Sequence, residues 1–334
     1  MKYLQSLLTP KGIKLAAVSK VYCADQHLID CLNELKVDMI GDSRIENLKK
    51  MHTTQPKMLL RIPMMTEVDD VVKYTDISLN SELKTIMALN EAAKSEHKIH
   101  DIILMFDLGD LREGIYHRSD FTKIIEDIKK LKHIHLKGIG TNLTCYGGVI
   151  PTLETYEKLE TVIEQVESSL GKKLEIISGG NSSSLEMLMN GELPSYINHL
   201  RIGESLVLGR ETAYGKQIKL MHDDVFIVEA QIIELQEKPS HPEGILGMDA
   251  FGQHVKFFDK GMMKRAILAL GRQDVNCEDL IPMKDIEVVG CSSDHLIVEI
   301  KEGSYQVGDT LKFKLTYGGI LRVMTSPYVV KTYV

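Results

Sequence analysis

Cysteine is scarce and scattered. Cys23, Cys31, Cys145, Cys277 and Cys291 are the five in 334 residues, an odd number with no C-x-x-C pair and no histidines at ligand spacing. That pattern excludes a disulfide framework and a zinc ribbon, so the five read as reduced thiols and no metal site is expected. No stretch reaches the ~18 uncharged apolar residues of a membrane helix, and the opening MKYLQSLLTPKGIK has no apolar leader core or small-residue cleavage site. A cytoplasmic protein with no membrane partner is the expectation. An excess of basic residues is missing too. Lys and Arg number 40 against 47 Asp and Glu, a formal net charge of −7, whereas phosphate-backbone binding needs a basic footprint. Nucleic acid is therefore not an expected partner. Tryptophan is absent altogether, and from that no function is drawn.

What is present is ordinary globular material, 43 % hydrophobic and 26 % charged, long enough for about two domains with full cores. Eight short apolar runs alternate with amphipathic segments: Leu15–Ser19, Asp38–Gly41, Met58–Arg61, Asp76–Asn80, Asp101–Phe106, Leu136–Thr141, Leu174–Ser178 and His199–Ile202. Each gap holds one crossover helix, for example Ala24–Leu35, Ser81–Ser95 and Leu153–Leu170. Eight βα units in about 220 residues match a (β/α)8 TIM-like barrel. A doubly wound open sheet is the competing layout. Beyond Lys219 the pattern becomes β-rich, with FIVEAQIIEL, VKFFD, RAILAL, IEVVGC, HLIVEI, DTLKFKL and LRVMT separated by turn residues and no long helix between them. Residues 1–220 are thus expected to form the barrel and 221–334 a C-terminal antiparallel β-domain.

Barrel chemistry sits where strands end. The first strand runs straight into Lys20. Partial desolvation at a barrel mouth would free its amine as a nucleophile for a carbonyl, although position alone favours a snorkelling surface lysine. The seventh strand ends in Ser178-Gly179-Gly180-Asn181-Ser182-Ser183-Ser184 and the eighth in Arg201-Ile202-Gly203-Glu204-Ser205. Gly-rich turns feeding helix starts after strands 7 and 8 are the usual phosphate cradle of this fold, while either one alone reads as a turn glycine and a Ser cap. The fifth strand leads into Asp107–Gly114, which contains Arg112, and the sixth into Gly140–Gly148. A lysine, a phosphate cradle and arginines at two strand ends together suggest pyridoxal 5′-phosphate, with Lys20 forming the Schiff base.

These blocks carry a resemblance. AAVSKVYCAD around Lys20, GDSRIEN at Gly41–Asn47, DLGDLREG at Asp107–Gly114, GIGTNLTCYGG at Gly138–Gly148, SGGNSSS at Ser178–Ser184 and HLRIGESLVLGRE at His199–Glu211 resemble, in order and over nearly the whole length, the alanine racemase superfamily of fold-type III pyridoxal-phosphate enzymes, most closely its ornithine racemase branch. The resemblance implies an amino-acid racemase that inverts Cα by two-base proton transfer, with ornithine the leading substrate and lysine, alanine or serine as alternatives. A non-catalytic cofactor-homeostasis protein is the other class. Lys20 would hold the cofactor and act as one base. Asn181, Ser182, Gly203 and Glu204 would contact the phosphate, Arg201 the pyridine nitrogen, and Arg112 the cofactor hydroxyl and substrate carboxylate. Arginine is always protonated, so Arg201 would keep that nitrogen unprotonated and weaken the electron sink, which discourages transamination.

Four departures from the family pattern follow. Met105 stands at the position of a family lysine two residues before the D-x-G motif, and Asn142 at the usual cofactor-stacking histidine. Phe251, in Met248–Gly252, stands where the family's second base, a tyrosine from the partner subunit, is expected. The chain also begins inside what resembles the family's first helix. Candidates for the second base are Asp249 first, then Tyr146, Cys145 and His254. The resemblance further implies a homodimer in which each β-domain closes the other chain's barrel mouth.

Overall fold

A computed structural model describes residues 1–248, 251–252, 254 and 257–334, which fall into two compact units, Met1–His222 and Asp223–Val334. In the first, β1 (Lys14–Val18), β2 (Met39–Asp42), β3 (Lys57–Leu59), β4 (Ile77–Asn80), β5 (His100–Asp107), β6 (Ile134–Thr141), β7 (Ile176–Ser178) and β8 (His199–Ile202) are all parallel. Because β4 pairs with β5 and β8 returns to β1, the sheet closes into an eight-stranded barrel. Helix α1 (Lys2–Leu8) precedes β1, helices α2 (Gln26–Glu34), α3 (Ile45–Lys50), α4 (Val68–Tyr74), α5 (Leu83–Ser95), α6 (Thr122–Lys129), α7 (Leu153–Leu170) and α8 (Leu185–Asn190) intervene between successive strands, and α9 (Glu204–Leu208) follows β8. A two-residue strand, Ile115–Tyr116, adds to the end of β5, too short to carry any periodicity.

The strands are short and apolar on both faces because helices cover the outside and side chains fill the inside. Ala16, Met39, Met58, Ile77, Leu79, Ile103, Met105 and Ile176 form one buried cluster. Arg201 lies opposite Ala16 in the β1–β8 register, which puts it on that same inward face. Gly138 is required by close approach, since a Cβ there would stand 2.1 Å from the Ile176 carbonyl oxygen. Helix α7 shows the local logic. The Thr152 hydroxyl accepts from Thr155 N at 3.2 Å, Tyr156, Leu159, Val162, Ile163 and Val166 are buried, and Gly171 ends the helix at φ +68°. Burying each large side chain contributes about 1.5–3 kcal/mol. Among the described residues no helix is long and apolar enough to cross a membrane, and no group of three or more acidic, histidine or cysteine side chains could hold a metal ion.

The second unit is a six-stranded antiparallel sheet in the order β11-β14-β9-β10-β13-β12, from β9 (Ile227–Pro239), β10 (Met262–Leu268), β11 (Leu280–Pro282), β12 (Ile286–Cys291), β13 (Leu296–Ile300) and β14 (Thr310–Leu315). Three expectations fail here. Leu321–Thr325 is not a strand but the end of helix α10 (Tyr317–Thr325), capped by the Thr316 hydroxyl accepting from Gly319 N. Positions 257–259 of the VKFFD run are outside regular structure. Cys277 and Cys291 are disulfide-bonded rather than reduced. Their Cα atoms stand 6.1 Å apart, within bridging range, because the turn before β11 lies against the end of β12. Spacing of 14 residues does not reveal that proximity.

Candidate active site

Lys20 opens a 3-10 turn directly after β1 and is half-buried. Ser19 N donates to Gly41 O at 2.8 Å, and its hydroxyl donates to Asp42 Oδ2 at 2.6 Å. Burial pushes the Asp42 carboxyl above the usual carboxylate range, against hydrogen bonds from Ser19 and Asn47 that pull it down. The turn leaves through Cys23 (φ +53°) and Ala24 (φ +47°), a left-handed pair of non-glycine residues of the kind that the surrounding fold must hold in place.

Arg201 joins three strand ends. Its guanidinium donates to the Ser178 hydroxyl at the end of β7 and, at 2.6 Å, to the Thr141 carbonyl at the end of β6. Ser178 is also bonded to His199 Nδ1 at 2.7 Å. Burial pushes Arg201 down to about 10, so it remains a cation at neutral pH. Burial and the Arg201 charge push His199 down to about 3, which keeps the imidazole neutral beside it.

The turns after β7 and β8 form a cradle. Gly180 sits at φ +117°, where a Cβ would stand 2.7 Å from Ser184 Oγ, and a Cβ on Gly203 would stand 3.1 Å from Val18 Cβ. Asn181 Oδ1 accepts from Ser183 N, while its Nδ2 donates to Asn142 Oδ1 and Leu143 O, all at 2.8 Å. The Ser182 hydroxyl accepts from Ser205 N at 3.2 Å, stitching the two turns together. Glu204 turns its carboxylate to Arg210, whose Nε and terminal amino group donate to it at 2.9 and 2.7 Å. The backbone of Glu204, not its charge, thus belongs to the cradle. Ser183 Oγ is buried with no hydrogen-bond partner among the described residues, a cost that a phosphate oxygen would remove. Missing Cβ atoms, knitted turns and an orphaned hydroxyl fit a phosphorylated cofactor.

Across the mouth, the Asp110 carboxylate accepts backbone N–H bonds from Thr144, Cys145, Tyr146 and Val149 at 2.9–3.1 Å. Burial raises its carboxyl, and these donors more than offset that, leaving it below its ordinary value. They also fix the loop that carries Cys145 and Tyr146. Cys145 Sγ lies 3.3 Å from Asn181 Nδ2, whereas Tyr146 is 76 % exposed. Arg112 pairs with Glu113 through Nε and a terminal amino group. The structure therefore brings together Arg112, Asn142, Cys145, Asn181 and Arg201 by contact or charge, with Lys20, Ser182, Gly203 and Glu204 at ends of the same parallel strands. In the second unit Phe251 packs under the Arg272 guanidinium, 4.3 Å from its ring centre, and His254 is exposed. Asp249 lies outside the described residues. The sequence places Ser178 and Ser183 in the cradle turn without singling either out, and gives no individual role to Asp110, Glu113 or His199. The Ser178–His199 contact joins strand ends 21 residues apart, where no spacing rule reaches.

Comparison with known proteins agrees with this fold. The family model described as alanine racemase, N-terminal domain, matches residues 1–211. The chain is 49 % identical to the ornithine racemase of Acetoanaerobium sticklandii, covering 98 % of this chain and 94 % of that protein. It is 42 % identical to the lysine racemase of Thermotoga maritima, covering 97 % and 92 %. Among solved structures, the alanine racemase of Bartonella henselae with covalently bound pyridoxal phosphate superposes with a TM-score of 0.70 at 18 % identity, covering 97 % of this chain and 92 % of that one. The barrel and the β-sheet unit are those of the alanine racemase family of pyridoxal-phosphate-dependent amino-acid racemases, to which this chain belongs.

Proposed function

We propose that the protein interconverts the enantiomers of ornithine, as a cytoplasmic homodimer. The observation that carries the substrate is near-full-length identity of 49 % to an ornithine racemase. Pyridoxal phosphate, when bound, supplies the electron sink that acidifies the α-proton. Lys20 holds the cofactor, and its Nζ takes or returns that proton on one face. Arg201 would donate to the ring nitrogen, since a guanidinium pushed down only to about 10 stays a donor at neutral pH. The phosphate is held by Asn181, Ser182, Ser183 and the backbone of Gly203 and Glu204, with Asn142 bracing Asn181. Arg112 binds the substrate carboxylate.

On the opposite face, Cys145 Sγ is the barrel's own candidate for the second proton, because Asn181 and the Asp110-anchored loop hold it at the mouth. Asp249 of the neighbouring subunit is the other candidate, and Tyr146, turned to solvent, is the weakest. One group on each face produces inversion. A β-domain that closes a neighbour's barrel has no use in a simple cofactor carrier, which favours catalysis over homeostasis.

Racemisation rates for ornithine, lysine, alanine and serine test the substrate. The highest kcat/KM is expected for ornithine. A preference for lysine would favour the reading suggested by the 42 % identical lysine racemase, and preference for alanine or serine would contradict both.

A further inference from the structure

Arg112 needs support that the barrel core does not give. Met105, at the position from which the resemblance expects a lysine to hold this arginine, is fully buried in the apolar cluster inside the barrel. A thioether there offers no charge and only a weak acceptor.

The loop after β5 supplies a substitute. Asp107 Oδ1 accepts from Gly109 N and Leu111 N at 2.8 and 3.1 Å. On the other side, Gly114 sits at φ +123° where a Cβ would stand 2.6 Å from Asp107 N, and Ile115–Tyr116 pairs back onto Phe106–Asp107. Arg112 and Glu113 lie between these two anchors. The Glu113 side chain is 17 % exposed and bidentate to Arg112, a geometry that fixes the plane of a guanidinium as well as its charge. Glu113 Oε1 also accepts from Asn142 Nδ2 at 3.4 Å, Asn142 Oδ1 from Asn181 Nδ2 at 2.8 Å, and Asn181 Oδ1 from Ser183 N at 2.8 Å. One polar chain therefore crosses the loops after β5, β6 and β7. Charge points the same way: Arg112 opposes the buried Arg201 cation and Glu113 favours it, so a single carboxylate compensates both arginines.

We propose that Glu113 is the positioning residue of Arg112, orienting its guanidinium for the substrate carboxylate and tying it through Asn142 and Asn181 to the phosphate cradle. This deepens the racemase reading and rests on Arg112 as the carboxylate-binding arginine. Glu113 touches neither the reacting carbon nor the side-chain ammonium of a diamino acid.

The test is calorimetric binding to the holoenzyme of two ornithine fragments, 5-aminopentanoate, which keeps the carboxylate, and 1,4-diaminobutane, which lacks it. With Glu113→Gln, 5-aminopentanoate should bind roughly 10- to 100-fold more weakly, the scale of a charged hydrogen bond, with 1,4-diaminobutane unchanged and Glu113→Asp intermediate. KM should rise for alanine as well as ornithine, with kcat changed less. Asn142→Ala, one link along the chain, should give a smaller loss in the same direction and decides the matter if Glu113→Gln fails to fold. Unchanged 5-aminopentanoate binding overturns the assignment. So does an equal loss for 1,4-diaminobutane, which would make Glu113 the ammonium site. A wild-type holoenzyme that binds neither fragment contradicts the diamino-acid reading itself and takes this assignment with it.

Discussion

On the proposed reading Arg201 would govern which reaction follows once the α-proton is mobile, because a protonated donor at the ring nitrogen would deny that nitrogen a proton. Arg201→Glu should therefore lower racemisation and raise transamination, followed as keto-acid formation. Normal racemisation without keto acid would show that the role does not apply. The resemblance carried by SGGNSSS singles out Ser182, yet Ser182 Oγ already accepts from Ser205 N, and of the three hydroxyls it is that of Ser183 that is buried with no partner among the described residues. Three identical residues in a row cannot be ranked from sequence, since only folding decides which hydroxyl is enclosed. Ser183→Ala should weaken cofactor binding to the apoprotein by about 1.5–3 kcal/mol, measured by absorbance titration. An unchanged affinity would remove Ser183 from the cradle. The second base separates in the same way. Either Cys145→Ala or Asp249→Asn should slow racemisation of every substrate by roughly 10²- to 10⁴-fold, the contribution of a positioned acid or base. Near-normal rates in both variants would exclude both groups.

At the scale of elements, the barrel was legible because each unit repeats the same physics, a short doubly buried strand followed by a one-sided helix. Asp38–Gly41 and His199–Ile202, read from apolar runs, fall within a residue of β2 and on β8. The second unit was less legible. Helix α10 begins Tyr317-Gly318-Gly319, and two glycines cost about 1 kcal/mol each in a helix interior, so its β-branched end read as a strand. What makes it helical is the Thr316 cap and the burial of Ile320 and Val323, which depends on packing. The Cys277–Cys291 bridge was hidden for a related reason, because only the folded sheet brings the two together. Thiol titration of unreduced, denatured protein should find three reactive cysteines, Cys23, Cys31 and Cys145, rising to five after reduction. Five without reduction would contradict the bridge.

For the whole molecule, two buried histidines tie stability to pH. Burial pushes His100 down to about 4 and His199 to about 3, against an ordinary value of about 6.5 in the unfolded chain. Below that value the unfolded state takes up protons that the folded state does not. Their contribution is thus fully present above about pH 6.5 and is lost as pH falls toward 3 to 4. The urea midpoint should drop between pH 7.5 and pH 5, with a shallower drop in His100→Gln, and equal slopes in variant and wild type would count against this linkage. The proposed function rests on one lysine, Lys20, after the first barrel strand and on a proton that leaves and returns at Cα. The most direct test is incubation of the holoenzyme with L-ornithine in heavy water, following mass and enantiomer together. Deuterium should appear at Cα in both enantiomers as the mixture approaches equal amounts, and Lys20→Ala should abolish it. Ornithine that gains no deuterium, or racemisation that survives loss of Lys20, would contradict the assignment.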